Sequence, residues 1–219
     1  MPEVELLRAL PKGKRNVQRR AEAKSAEVVA ISRQYGQMYF DGPRDYGYGG
    51  YRYDGRWVPV ARDIIAHYGL KPGERVLDIG CAKGFLVKDL IGVLPGLDAF
   101  GIDVSEYALR HCEPEMVGRL HLGNAKHLPF PDKSFDVVLA INTLHNLERE
   151  ALIVALREMG RVARRGTFVQ VDSYRTPEER EIFLDWVLTA HTHDYPDGWR
   201  RLFQEAGYTG DYYWTFITG

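Results

Sequence analysis

Apolar positions along this chain come in two rhythms. Short unbroken runs, "RVLDIG", "AFGIDV", "RLHLGN", "FDVVLAIN" and "TFVQVDSY", read as strands buried on both faces. Between them, "GFLVKDLIGVL", the stretch from Glu106 to Cys112 and "EREALIVALREMGRVA" repeat apolar residues every three or four positions and predict amphipathic helices. Gly69, Pro72-Gly73 and Pro95-Gly96 punctuate the joins. This alternation predicts an α/β fold: a doubly wound, mostly parallel sheet of six or seven strands with helices on both faces.

The flanks are less regular. "VPVARDIIAHY" predicts a helix from Val58 to Tyr68, and "VQRRAEAKSAEVVAIS" predicts one longer helix before it. Between them, "YGQMYFDGPRDYGYGGYRYDGRW" has too many glycines for a regular element and too many aromatics for a plain linker. Downstream, "PEEREIFLDWVLTA" predicts a helix with Pro177 in its first turn, and "DGWRRLFQEAG" a second, capped by Asp197 and ended by Gly207. "YTGDYYWTFI" supplies strand-like residues whose direction the sequence does not fix. The expected organisation is an N-terminal helical and Tyr/Gly-rich extension over residues 1–57 and a main domain over 58–219.

Composition narrows the function classes. Hydrophobic content of 45% and charged content of 27% are ordinary for a soluble globular protein. A formal net charge of -1 argues against wholesale electrostatic binding of nucleic acid, and the basic "PKGKRNVQRR" reads as a solvated helix face. Cys81 and Cys112 are the only cysteines and form no CxxC, which suits a reducing compartment. With no apolar run of membrane-spanning length and no secretory signal, the expectation is a cytoplasmic protein without membrane contact.

The stretch "VLDIGCAKGFL" carries the first chemical signal. A buried strand stops at Asp78, Gly80 and Gly84 bracket a tight loop, and a helix begins. Such a loop offers backbone N–H groups and a helix N-terminus to a ligand at the carboxyl end of the sheet. Asp103 ends the next strand, where a carboxylate can accept both hydroxyls of a ribose. A P-loop would need Ser or Thr after Lys83, and a nicotinamide fingerprint would need G-x-G-x-x-G, so both fail by residue type.

With "GIDVS" and "GNAKHLPFPDKSFDVVLAINTLHNL" following in order, the chain closely resembles the class I S-adenosylmethionine-dependent methyltransferases, in particular the small-molecule, ubiquinone-biosynthesis-like type. The resemblance covers about Lys71 to Tyr174. It implies a Rossmann-like fold, S-adenosyl-L-methionine as cofactor and S-adenosyl-L-homocysteine as product. It also implies that the loop of Asp78, Gly80, Cys81, Ala82 and Gly84 holds the methionine end and Asp103 the ribose. Val104 would pack on the adenine, Asn124 and Ala125 would border its edge, and Asn142 would lie beside the sulfonium. Ala82 stands where many members have glycine, and Asn124 where aspartate is common. Family members usually close with a strand hairpin, for which little chain remains after Gly207.

The Tyr-rich segment is expected to fold over the cofactor mouth as a lid. Tyr35, Tyr39, Tyr46, Tyr48 and Tyr51 supply aromatic faces suited to a cation, and Arg44, Arg52 and Arg56 suit an acceptor carboxylate or phosphate. His145 after the fourth strand and Asp172 after the fifth are the catalytic candidates, with Tyr174, His191 and His193 as further cleft residues. The H-x-H of His191 and His193 lacks clustered acid or thiol partners, so no metal is expected. Cys81 begins a helix, a place that can lower a thiol's pKa, but is read as structural. The leading expectation is methyl transfer to an oxygen or nitrogen of a small, acidic molecule. An RNA methyltransferase and a non-catalytic cofactor-binding partner or sensor are the alternatives, and a homodimer through the N-terminal helix is left open.

Overall fold

The computed structural model describes residues 1–11 and 15–217. Six strands form one sheet: β1 (Arg75–Ile79), β2 (Asp98–Asp103), β3 (Leu120–Leu122), β4 (Phe135–Ile141), β5 (Ala163–Ser173) and β6 (Asp211–Phe216). Their order is β3-β2-β1-β4-β5-β6, and every neighbouring pair is parallel. The order reverses between β1 and β4, which opens a crevice at the carboxyl ends of these two strands.

The helices are α1 (Val17–Ala23), α2 (Ala26–Ser32), α3 (Gln37–Phe40), α4 (Val58–Tyr68), α5 (Phe85–Val93), α6 (Glu106–Arg110), α7 (Arg149–Val162), α8 (Pro177–Trp186) and α9 (Pro196–Ala206). Successive strand residues point to opposite faces, and both faces are covered. Leu77, Ile79, Val138, Ala140, Val169 and Val171 pack with residues of α7 and α9. Val76, Val137, Leu139 and Phe168 pack with residues of α4 and α5 on the other side. That two-sided burial is why these strands read as continuous apolar runs. The helix from Val58 ends at Gly69, which takes a left-handed conformation as C-cap.

Three local expectations change, and the open question of the last strand is answered. The single helix before the Tyr-rich segment is two, because Lys24 is extended and the Ser25 side chain accepts the Val28 amide, capping a new start. The helix begun by Pro177 stops at Trp186, since Val187 is extended. The last helix starts at Pro196 with Tyr195 as N-cap, and Asp197 sits inside its first turn, bound to Arg200 at 2.7 Å. Among the described residues there is no closing hairpin: α8 and α9 carry the chain back across the sheet, so β6 lies parallel to β5. Its outer edge is met by Glu3, which bridges Tyr212, while the Val4 amide donates to the Tyr212 carbonyl at 2.9 Å.

Candidate active site

The loop after β1 is fixed by two close approaches. Gly80 has φ 77°, and a Cβ there would lie 2.1 Å from the Thr143 hydroxyl, so only glycine fits. Its amide and that of Cys81 both donate to the Ile102 carbonyl, at 2.8 and 3.3 Å. The Ala82 amide donates to Asp103 Oδ2 at 2.7 Å, and the Ser105 amide to Oδ1 at 2.8 Å. The first three loop amides are therefore engaged within the protein rather than free for a ligand, which corrects the simplest sequence expectation. What the loop turns toward the crevice includes the Asp78 carboxylate.

Two adjoining cavities, of ≈ 120 and ≈ 180 Å³, occupy the crevice. Asp103, Val104, Asn124 and Ala125 line the first, and Asp78 and Cys81 the second. Gly80, Ala82, Asn142 and Tyr48 border both. Nine of the ten expected cofactor residues thus converge. Gly84 does not: it caps α5 with φ 76° and is pressed against Leu120, a packing position rather than a lining one.

The chemistry of these walls suits the expected cofactor. Asp78 is 5% exposed, and no described hydrogen bond reaches its carboxylate. Burial, then the neighbouring Asp103 charge, push its pKa up to about 8. A cationic ammonium is the partner that such a group lacks. Burial also raises the Asp103 pKa, opposed by the amides of Ser105, Ala82 and Val104. Val104 leaves 49% of its surface uncovered beside it, an apolar edge of the kind that an aromatic base can cover. Asn146 lines the same cavity with its Oδ1 buried and unpartnered, a position that the sequence patterns did not mark. Burial drives the Cys81 thiol well above its usual pKa; α5 begins only at Phe85, so Cys81 does not start a helix as the sequence suggested.

The Tyr-rich segment does cover this crevice. Tyr35, Tyr39, Phe40 and Tyr48 line the first cavity, and Tyr51 the second. Tyr39 meets Tyr35 edge-on at 5.3 Å and Tyr48 at 5.2 Å, while Tyr51 stacks on Phe85 at 4.8 Å. Polar ties fasten the segment to the loop after β1 and to the start of α6: Lys83 to Asp41 at 2.7 Å, the Tyr107 hydroxyl to Asp41 at 2.8 Å, and the Ser105 hydroxyl to the Tyr35 carbonyl at 2.5 Å. Burial raises the Tyr39 and Tyr51 hydroxyls well above their usual pKa and Tyr35 to about 12. They are neutral aromatic walls, not bases. Of the four non-glycine residues with positive φ among the described residues, three, Tyr35, Ala82 and Asn142, line this crevice.

A third cavity, of ≈ 400 Å³, adjoins the other two through Tyr48 and Asn142. His145 and Asp172 line it together, with Arg44, Arg52 and Arg56. The Asp172 amide donates to His145 Nδ1 at 3.0 Å, and His145 Nε2 lies 3.6 Å from the Asp172 carboxylate. This bond assigns the ring proton to Nε2 and leaves Nδ1 occupied, so the group free to receive a proton is the Asp172 carboxylate. Arg15, Arg20 and Trp186 also line the cavity. The basic segment is therefore not simply a solvated helix face: Arg20 is 5% exposed and lies over the Trp186 ring.

Four expected cleft residues lie elsewhere. Tyr46 lines none of these cavities. Tyr174 packs with Phe183 in a satellite core, its hydroxyl 3.0 Å from His193 Nδ1. Burial lowers the His193 pKa. His191 pairs with Glu148 at 2.6 Å. Among the described residues no cluster of His, Cys, Asp or Glu is arranged to hold a metal, and no helix is long and apolar enough to cross a membrane.

Residues 77–171 match the methyltransferase domain family. The chain is 26% identical over 204 residues to a demethylmenaquinone methyltransferase of Symbiobacterium thermophilum, covering 75% of this chain and 80% of that one. It is 27% identical over 181 residues to a 2-methyl-6-phytyl-1,4-hydroquinone methyltransferase of Synechocystis, of which it spans 55%. The crystal structure of a SAM-dependent methyltransferase from Archaeoglobus fulgidus shares the fold at a TM-score of 0.54 and 20% identity, with 68% of each chain covered.

Proposed function

We propose, from the premise that this chain belongs to the class I S-adenosylmethionine-dependent methyltransferases, that it methylates an oxygen or nitrogen of a small acidic molecule held in the cavity of His145 and Asp172. The supporting observation is that Asn142 borders all three cavities, as does Tyr48 of the covering segment, so both stand where donor and acceptor sites meet. When bound, S-adenosylmethionine supplies an electrophilic methyl group on a sulfonium, displaced in line to leave S-adenosylhomocysteine.

The protein's own part is holding and excluding. Asp78 receives the amino-acid ammonium, Asp103 the ribose hydroxyls, and Val104 the adenine, whose edge Asn124 and Ala125 border. Asn142 has φ 51°, and its Oδ1 accepts from the Thr215 hydroxyl at 2.8 Å, which fixes its amide at the methyl-transfer point. Tyr35, Tyr39 and Tyr48 close the crevice against water and present π-faces toward a cation. Asp172 orients the nucleophile and takes its proton; His145 holds Asp172 in place. The extension over 1–57 acts as the lid of a catalytic domain over 58–219. Unpaired Cys81 and Cys112 suit a reducing cytoplasm.

Calorimetry with S-adenosylhomocysteine, followed by label transfer from methyl-labelled donor into a small-metabolite extract, tests this reading. Heat with label in a small molecule supports it. No heat with folded protein overturns the donor site, and heat without transfer to any acceptor makes the chain a sensor. Sedimentation tests the homodimer separately.

A further inference from the structure

The third cavity contains a concentration of positive charge that holding a lid does not explain. The guanidinium carbons of Arg20, Arg44 and Arg15 lie 4.7, 5.3 and 5.8 Å from the centroid of one ring, that of Trp186. Three like charges round one indole repel each other, and partial desolvation increases the cost. Among the described residues, none of the three has a carboxylate within 4 Å; Asp45, the nearby acid, pairs with Arg19 at 3.6 Å.

Their tasks differ. Arg20 is committed to the protein: it donates to the carbonyls of Arg44 at 2.8 Å, Gly47 at 3.3 Å and Asp45 at 3.4 Å, bracing the turn that carries Arg44. Arg44 makes one described bond, to the Gly47 carbonyl at 2.5 Å, leaving most of its five donors. Arg15 makes none among the described residues and lies half-buried at the cavity wall. Desolvation first, then the nearby Arg15 charge, pull the Arg44 pKa below its ordinary value. Arg52, exposed and also without a described partner, lines the same cavity.

Resting on the methyltransferase reading, we propose that Arg15 and Arg44, backed by Arg20 and Trp186, form an anchor for a doubly charged anionic group on the methyl acceptor. A single carboxylate leaves this cluster short of neutrality. A phosphate monoester, or two carboxylates on one carbon skeleton, meets it with bidentate geometry. The acceptor is therefore a small molecule with two ends: a dianionic end at the arginines and a nucleophile at Asp172 and Asn142. A cavity of ≈ 400 Å³ is the size of a small-ligand pocket, with arginines running from buried Arg20 through half-buried Arg15 to exposed Arg44 and Arg52, and that concave setting suits a metabolite better than a polynucleotide backbone.

The test uses the full chain saturated with S-adenosylhomocysteine and titrated with pyrophosphate, tricarballylate and acetate as probes. The first two should bind at least about tenfold more tightly than acetate. Arg15→Gln and Arg44→Gln should each weaken them severalfold, and together at least about tenfold, with S-adenosylhomocysteine affinity kept within about twofold; each charge contact removed is one of the stronger hydrogen-bond types. Equal binding of acetate, or dianion binding indifferent to both substitutions, overturns the anchor. Arg44→Gln alters an exposed side chain and Arg15→Gln a half-buried one, so agreement between the two guards against a folding artefact in either. In label transfer, the product should be retained on an anion exchanger; phosphatase sensitivity identifies a phosphate and resistance a dicarboxylate. Label in an unretained product, or in ribonuclease-sensitive material, overturns the proposal. Absence of S-adenosylhomocysteine heat would instead remove the donor site, while dianion binding to the unloaded protein is still measured.

Discussion

His145 and Asp172 are joined by one hydrogen bond, the Asp172 amide donating to His145 Nδ1 at 3.0 Å, while the ring's Nε2 comes to 3.6 Å from the Asp172 carboxylate. The ring thus acts as a bracket, and the indole N–H of Trp199, donating to the Asp172 carbonyl at 3.0 Å, is a second one. Asp172→Asn keeps the shape and removes the proton acceptor. Turnover should fall about 10²- to 10⁴-fold, the usual contribution of a general base, while S-adenosylhomocysteine affinity holds. Undiminished single-turnover rates in D172N would retire the base.

For His145 itself, alanine leaves the Asp172 amide without its partner, at a cost of about 1–3 kcal/mol. His145→Asn offers an oxygen to the same amide and should recover stability and most of the rate. If His145 were the base, H145N would be as inactive as H145A. Chemical denaturation together with pH–rate profiles separates the two.

Asp78 makes donor binding depend on proton release. With its folded pKa raised to about 8 by burial and then Asp103, the ligand-free protein holds a proton there at neutral pH that the unfolded chain lacks. The folded state therefore binds the extra proton between about pH 4 and 8, and this contribution to stability is lost as pH rises through that window. An ammonium docking beside Asp78 favours the carboxylate and expels the proton. Calorimetry at pH 7 in buffers of different ionisation enthalpy should show about one proton released per S-adenosylhomocysteine bound, fading above pH 9. Asp78→Asn should abolish the release and weaken donor binding at least about tenfold, the order of one charge-assisted contact.

Gly80→Ala forces a methyl group against Thr143 and a left-handed backbone onto alanine. Together these should lower unfolding free energy by about 2–4 kcal/mol. Adding Thr143→Gly should relieve the steric part and not the backbone part. An unchanged denaturant midpoint in G80A would contradict the packing described.

The Tyr-rich segment is tied to the loop after β1 by Lys83 and Asp41, whose side chains are 8% and 25% exposed, and on the proposed lid reading this pair is its latch. Asp41→Ala strands a buried ammonium and should cost about 3 kcal/mol. Asp41→Asn with Lys83→Met should regain much of that stability and still release bound donor faster in stopped-flow measurements. Tyr35→Ala and Tyr39→Ala should weaken donor binding or turnover; wild-type kinetics in both would remove the lid from the mechanism.

The parallel sheet was legible because both sheet faces are covered, which writes each inner strand as an unbroken apolar run. The convergence of the motif residues on one crevice was legible because Gly80, Asp103 and Asn142 each answer a local backbone demand close to their sequence motif. Gly84 misled because a glycine needed for packing on Leu120 looks, in sequence, like one needed by a ligand. Arg15 and Arg20 were read as solvated because the ring that gathers them, Trp186, lies far along the chain. Asn146 lay inside the third motif stretch but had no spacing that singled it out, and Tyr174, His191 and His193 were drawn away by partners outside the motifs. The direction of β6 depended on how α8 and α9 cross the sheet, a long-range property without a residue signature.

The bridge from Glu3 to Tyr212 has a practical result. Trimming the first four residues would leave the Tyr212 amide and carbonyl unpaired and lengthen the open edge of β6, a readier template for another copy. Shortened preparations should clump even where every catalytic side chain is intact. Leu10 and Ile217 both wall the arginine cavity, so loosening that seam would also blunt acceptor selection from a distance.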